Sequence, residues 1–171
     1  MKKLALFCAL MALSVSSINA EEKATGERIT ANRPVIEALK RPLLHEHPTL
    51  QRMLGRNNSM RTRQGLRPHR INPELTKAAQ DHAVYMAKTG SFSHYSNGGP
   101  QGRAAKWGFK GMVRENIAMG QHNVDHAFST WQGSSGHWAS IVSQTTDAGF
   151  GYAVSPNGQG YWVAVYGNAA N

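Results

Sequence analysis

Apolar residues recur at helical spacing through the first two thirds of this chain and gather into strand-like runs only near its end. Residues 49–64 predict a helix, with Thr49 as N-cap, Leu50, Met53, Leu54 and Met60 as its apolar stripe, and Gly65 as its stop. A second helix is marked more strongly. Asn72 caps it, Pro73 takes the first helical position, Leu75, Ala78, Ala79, His82, Ala83, Met86 and Ala87 repeat along one face, and Gly90 ends it. Shorter helical pieces are expected at residues 34–39, before Pro42, and at residues 101–107, after the break at Gly98-Gly99-Pro100. Residues 123–131 place Val124, Ala127, Phe128 and Trp131 on one side of another helix. Residues 149–154 and 161–166 are aromatic and β-branched, and the turn-forming run from Ser155 to Gly160 separates them as the arms of a hairpin. Helices first, a glycine-rich middle and antiparallel strands last predict an α+β fold, with helices packed on an antiparallel sheet. Internal repeats and low-complexity tracts are absent from the sequence.

The first twenty residues read as a targeting segment. Lys2-Lys3 form a positive start, residues 4–15 an apolar stretch too short to span a membrane, and Ile18-Asn19-Ala20 a cleavage site. Cys8 lies within that stretch behind Phe7, which argues against a lipid anchor. Export, to the periplasm or the medium, is the expectation. Cleavage after Ala20 leaves no cysteine, so stability must come from the core alone, and about 150 residues suffice for one domain. The organisation expected is a signal peptide (1–20), a partly disordered extension (21–48) and a folded domain (49–168).

Removing Lys2 and Lys3 leaves 17 basic residues against 10 acidic, a net charge of +7. The stretch from Lys40 to Arg70 holds eight Lys and Arg against Glu46 alone, so it carries all of that excess. It is read as the solvated side of a helix, with attachment to an anionic surface as the functional alternative. Nucleic acid is excluded as a partner because the stretch has no aromatic residue on which bases could stack. Nothing marks an interface, and a monomer is expected.

The candidate chemistry lies between His94 and His137. Two imidazoles and one carboxylate, Glu115, stand among glycines and tryptophans in an acid-poor region, and the fold is expected to bring them into one cleft. Other histidines have blander readings. His82 falls on an apolar stripe and is read as a hydrogen-bonded core residue. His122 and His126 are four apart, but Asn123 stands where a metalloprotease signature needs Glu, so both are read as surface residues. His45-Glu46-His47 lies in a linker-like stretch. Nucleophilic catalysis finds no support, since the mature chain lacks cysteine and Gly133-Ser134-Ser135-Gly136 lacks the spacing of a nucleophile elbow. Glycosidase chemistry needs two close carboxylates, and only Glu115 is placed for it.

Several of these segments together resemble a known family. Asn72-Pro73-Glu74-Leu75 leading into Ala78-Ala79-Gln80, then Phe92-Ser93-His94, Gly102-Arg103-Ala104, Glu115-Asn116-Ile117-Ala118, Trp131, Ser135-Gly136-His137 and the final hairpin are similar, in this order, to the CAP superfamily of cysteine-rich secretory proteins, antigen 5 and pathogenesis-related 1 proteins. The disulfide-free, short-loop version is similar to the bacterial members. The resemblance implies a three-layer α-β-α sandwich with a central antiparallel sheet and a cleft that holds a divalent metal such as Zn2+. Carried over to this chain, His94 and His137 are the metal ligands, Glu115 the catalytic acid or base, and Asn116, Ser135 and Trp131 the lining of the cleft. A second acid, often found shortly after the helix tryptophan in eukaryotic members, is replaced here by Gln132, Gly133, Ser134 and Ser135. That departure weakens metal binding and any two-carboxylate mechanism.

Three uses of the triad follow. Glu115 is a general base toward a metal-bound water, or it is a third metal ligand and so no longer free as a base, or it bridges the two histidines in a purely structural network. Two function classes remain: a binding module for a lipid, a sterol or a cell-envelope component, its groove lined by Trp107, Trp131, Trp138 and the hairpin aromatics, and a metal-assisted hydrolase using His94, His137 and Glu115. The missing second acid favours binding.

Overall fold

Helix α2 (Pro73–Thr89) is set by local sequence at both ends. The Asn72 side chain accepts from the Leu75 N–H at 2.9 Å, Pro73 opens the helix, and Gly90 closes it in the left-handed region at φ +72°. The computed structural model describes residues 43–169. The expected signal peptide, the polar segment at 21–30, the helix at 34–39 and Lys40 lie outside the described residues. The chain divides after Pro42, and the body described is the second unit.

Four strands form the sheet: β1 (Arg70–Ile71), β2 (Val113–Met119), β3 (Asp147–Val154) and β4 (Gly160–Gly167), in the order β1-β3-β4-β2. The β3–β4 hairpin is the one predicted, antiparallel and in register from Asp147↔Gly167 to Val154↔Gly160. Strand β2 pairs antiparallel with β4, placing Glu115 opposite Val165, and forms one edge of the sheet. The two residues of β1 add a short parallel strand at the other edge.

Helices cover both faces. Period-two alternation along β4 sends Trp162, Ala164 and Tyr166 into one core with Leu50, Met53, Phe128, Trp131 and Phe150, under α1 (Pro48–Thr62), α4 (Val124–Gln132) and α5 (Ser135–Ile141). Tyr161, Val163 and Val165 enter the opposite core with Leu75, Ala79, Ala83, Met86 and Ala104, under α2 and α3 (Gly99–Lys106). The result is the α-β-α sandwich. Helix α2 lies closest on β3, because a Cβ at Gly149 would strike the backbone of Leu75 and Thr76, and one at Gly151 the backbone of Ala79 and Gln80.

Local details depart from the sequence-based expectations. The N-cap of α1 is His47, not Thr49: its Nδ1 accepts from the Thr49 N–H at 3.3 Å, and Pro48, with φ preset, takes the first helical position. The stretch expected to be linker-like instead forms a 3-10 turn, Leu44–Glu46, closed by Glu46 accepting from the Leu43 N–H. Helix α3 starts at Gly99 rather than Gln101, and α5 is not among the expected elements. Arg61, counted in the basic stretch, is buried and donates to four carbonyl oxygens, those of Arg67, Ile141, Ser143 and Thr145. It is a structural hub that ties the end of α1 to the loop before β3. No helix among the described residues is long and apolar enough to cross a membrane.

Candidate functional site

Strand β2 carries the site because its side chains alternate between the two helical layers. Glu115 points to the α2–α3 side and Asn116 to the α5 side. The loop bearing His94 turns sharply into α3 through three successive left-handed residues, Asn97 at φ +53°, Gly98 at +84° and Gly99 at +70°. Arg103, on α3, pins that loop by donating to the His94 carbonyl at 3.2 Å and the Ser96 carbonyl at 2.5 Å. Its Nη2 also donates to Glu115 Oε2 at 2.6 Å.

Glu115 is therefore fully engaged. The Oε2 atom takes Arg103 and Oε1 takes His94 Nδ1 at 2.9 Å, while the side chain is 1 % exposed. An acceptor on Nδ1 keeps the proton there and leaves Nε2 as the free nitrogen of His94, whose side chain is 38 % exposed. His137, on α5, stands with its ring centroid 6.4 Å from that of His94. Burial first, and then the neighbouring His94, pushes the His137 pKa down. Asn116 is buried and donates through Nδ2 to the His137 carbonyl at 3.0 Å, tying α5 to β2. Asn116 Oδ1 and His137 Nδ1 are buried without a partner.

The fold thus brings His94, Glu115, Asn116 and His137 together. Ser135 is exposed on the first turn of α5. Trp131 is not a lining residue. It is fully buried, packs edge-on against Phe128 at 4.8 Å and donates its indole N–H to the Ile117 carbonyl at 3.1 Å. Large rings with one polar atom are placed inside when that atom finds an acceptor, as here. Tyr161, Trp162 and Tyr166 are likewise core residues, whereas Trp107 is partly exposed under the ammonium groups of Lys77 and Lys106. His122 and His126 are exposed.

Two residues beside the site matter more than the sequence suggests. Arg103 stands in the sequence only as part of a triplet; a cation beside two alanines in a short helix that also carries Lys106 gives no sign that it is buried. His82 is buried as expected, but neither ring nitrogen has a well-formed hydrogen bond. Burial holds its pKa down at about 4, with Glu115 raising it and Arg103 and His94 lowering it, so the ring sits neutral beside the Arg103–Glu115–His94 chain.

A divalent metal would find two imidazoles here and no free carboxylate, which falls short of the three protein ligands of a catalytic zinc. No cluster of three or more His, Cys, Asp or Glu able to hold a metal occurs among the described residues. The arrangement can hold His94 in one tautomer and present polar groups to a ligand; it has no carboxylate free to take a proton from water.

Comparison with known proteins agrees with the fold. YkwD of Bacillus subtilis (strain 168) is 29% identical over 143 residues, 78% of this chain and 56% of that protein, so the chain spans little more than half of that relative. An outer surface protein of Borrelia burgdorferi superimposes with a TM-score of 0.66 at 19% identity, over 72% of this chain and 95% of that one. An extracellular SCP-domain protein of Bacillus anthracis str. Ames gives a TM-score of 0.59 at 25% identity, over 69% of this chain and 39% of that one. The family model "Cysteine-rich secretory protein family" matches residues 54–166, well over half of the sequence, from within α1 to the penultimate residue of β4. The chain is a CAP-domain protein and belongs to the cysteine-rich secretory protein family.

Proposed function

We propose that this protein is an exported binding module whose cleft, at the β2 edge between the two helical layers, takes a lipid, sterol or other cell-envelope component. The observation that carries this is the double engagement of Glu115 by Arg103 and His94. With one oxygen on Arg103 and the other on His94, the carboxylate has none turned toward a substrate water, and no second acid stands beside it among the described residues. Export is supported by the charged, apolar and small-residue pattern of residues 1–20, and by relatives described as an extracellular and an outer surface protein. Arg52, Arg63, Arg67 and Arg70 are exposed and give the basic stretch its means of meeting an anionic envelope.

The test compares wild type with His94→Ala/His137→Ala for co-sedimentation with isolated cell envelopes and for hydrolysis of peptide and ester substrates. Retention that the double variant loses, with no turnover in either, is the expected result. Turnover abolished by Glu115→Gln in a folded protein would instead favour the metal-assisted hydrolase.

The 6.4 Å spacing of the His94 and His137 rings favours a second reading, a weak two-imidazole site for a divalent cation such as Zn2+. Calorimetric zinc titration tests it: saturable heat in wild type that vanishes in the double variant supports the site, and no heat at millimolar zinc removes it.

A further inference from the structure

The open edge of β2 has a feature that the side chains alone do not reveal. In an antiparallel pair, alternate residues turn both main-chain groups toward the partner strand or both away from it. Two side-chain caps fix which way this strand runs. The Val113 N–H donates to Gln101 Oε1 at 3.2 Å, and the Ile117 carbonyl accepts from Trp131 Nε1 at 3.1 Å. Residues 113, 115 and 117 therefore face away from β4. Between the caps, nothing among the described residues hydrogen-bonds the Glu115 N–H or C=O. Glu115 is nevertheless partly exposed while its side chain is 1 % exposed, so its exposed surface is main chain.

Resting on the binding reading above, we infer that the recognised part of the ligand is an extended peptide main chain, which adds to β2 as a further strand and exchanges hydrogen bonds with Glu115. Strand addition uses a donor and an acceptor at the spacing of one residue, which a peptide offers and a lipid chain or sterol does not. One residue away a groove of about 700 Å3 opens at the start of β2, lined by Met112, Val113 and Arg114, by Ala139 and Val142 of the α5 end, and by polar residues of the 143–145 loop and Asn168. Arg114 is the one charged residue lining it among the described residues, so the groove, part apolar and part polar, fits a peptide that carries both kinds of side chain and a carboxylate. A second copy of this chain fits worse. The free edge is recessed between α3 on one face and α4 and α5 on the other, all of which pack on β2 and would block another sheet of the same build.

The probe is acetyl-Val-Thr-Val-Glu-Val-amide, titrated into the 15N-labelled full chain, with the same peptide N-methylated at its central residue as control. We expect saturable shifts of the Glu115 and Ile117 amides, at least tenfold slower exchange of the Glu115 N–H, no response to the methylated peptide, and about tenfold weaker binding to Arg114→Glu, an exposed position. An unmoved Glu115 amide at millimolar peptide, or equal binding of the methylated peptide, overturns strand addition. Envelope co-sedimentation of the same sample separates the two proposals: retention on envelopes with an unmoved Glu115 amide sinks the peptide assignment and leaves the binding reading standing. Edge-to-edge self-association, seen as a concentration-dependent dimer that shifts the Glu115 amide without peptide, would also overturn the assignment.

Discussion

Arg103 Nη2 lies 2.6 Å from Glu115 Oε2 with both side chains 1 % exposed, so the Glu115 carboxylate is neutralised inside the protein. Removing either partner strands a buried charge. Arg103→Met should cost about 3–5 kcal/mol in urea unfolding. Arg103→Met/Glu115→Leu should recover much of that loss, because the double variant leaves neither charge unpaired. A double variant as unstable as the sum of the singles would show that the pair is not coupled.

The same carboxylate sets the tautomer of His94. Long-range 15N correlation spectra of the neutral ring should show its proton on Nδ1 and not on Nε2. Glu115→Leu should lose that preference without moving the His122 or His126 rings. A wild-type His94 protonated at Nε2 would contradict the observed hydrogen bond.

Stability should fall on mild acidification. Burial holds both His69 and His82 down at about 4, against 6.5 when unfolded. Between those values the unfolded chain binds more protons than the folded one, so this contribution is fully present above pH 6.5 and is lost as pH drops toward 4. The loss is about 3 kcal/mol per histidine across that window. Urea midpoints measured from pH 7 to pH 4 check it, and His82→Phe should flatten the slope by about half if it folds.

Close packing of α2 on β3 predicts a large effect from a single methyl group. Gly149→Ala drives a Cβ into the Leu75–Thr76 backbone, which cannot yield without moving the whole helix. The expected cost is about 3 kcal/mol or more, read as a lowered thermal midpoint. Gly136→Ala, where a Cβ meets nothing within 4 Å, is the control and should change stability little.

Sequence and structure agree where the signal is local. Asn72, Pro73 and Gly90 bound α2 by capping and left-handed closure, and each acts within a few residues of itself. The hairpin is legible for the same reason. The gathering of His94, Glu115 and His137 is not local, and the family resemblance, not any periodicity, predicts it. Helix α5 is hidden because seven residues with Ser and Gly at the start carry almost no helical propensity; its packing against β2 and α4 holds it in place.

The amino-acid order thus specifies the set of elements and the sequence in which their chemistry arrives. Only the tertiary structure decides that Trp131 is sealed into the core, that Arg61 is a buried hub, that Arg103 engages Glu115, and that β2 stands at the sheet edge with no hydrogen bond to the Glu115 main chain among the described residues. Each of these depends on contacts between residues far apart in the chain, and such contacts leave no periodicity to read: whether a polar group meets water, a guanidinium or nothing is fixed by what the fold packs beside it.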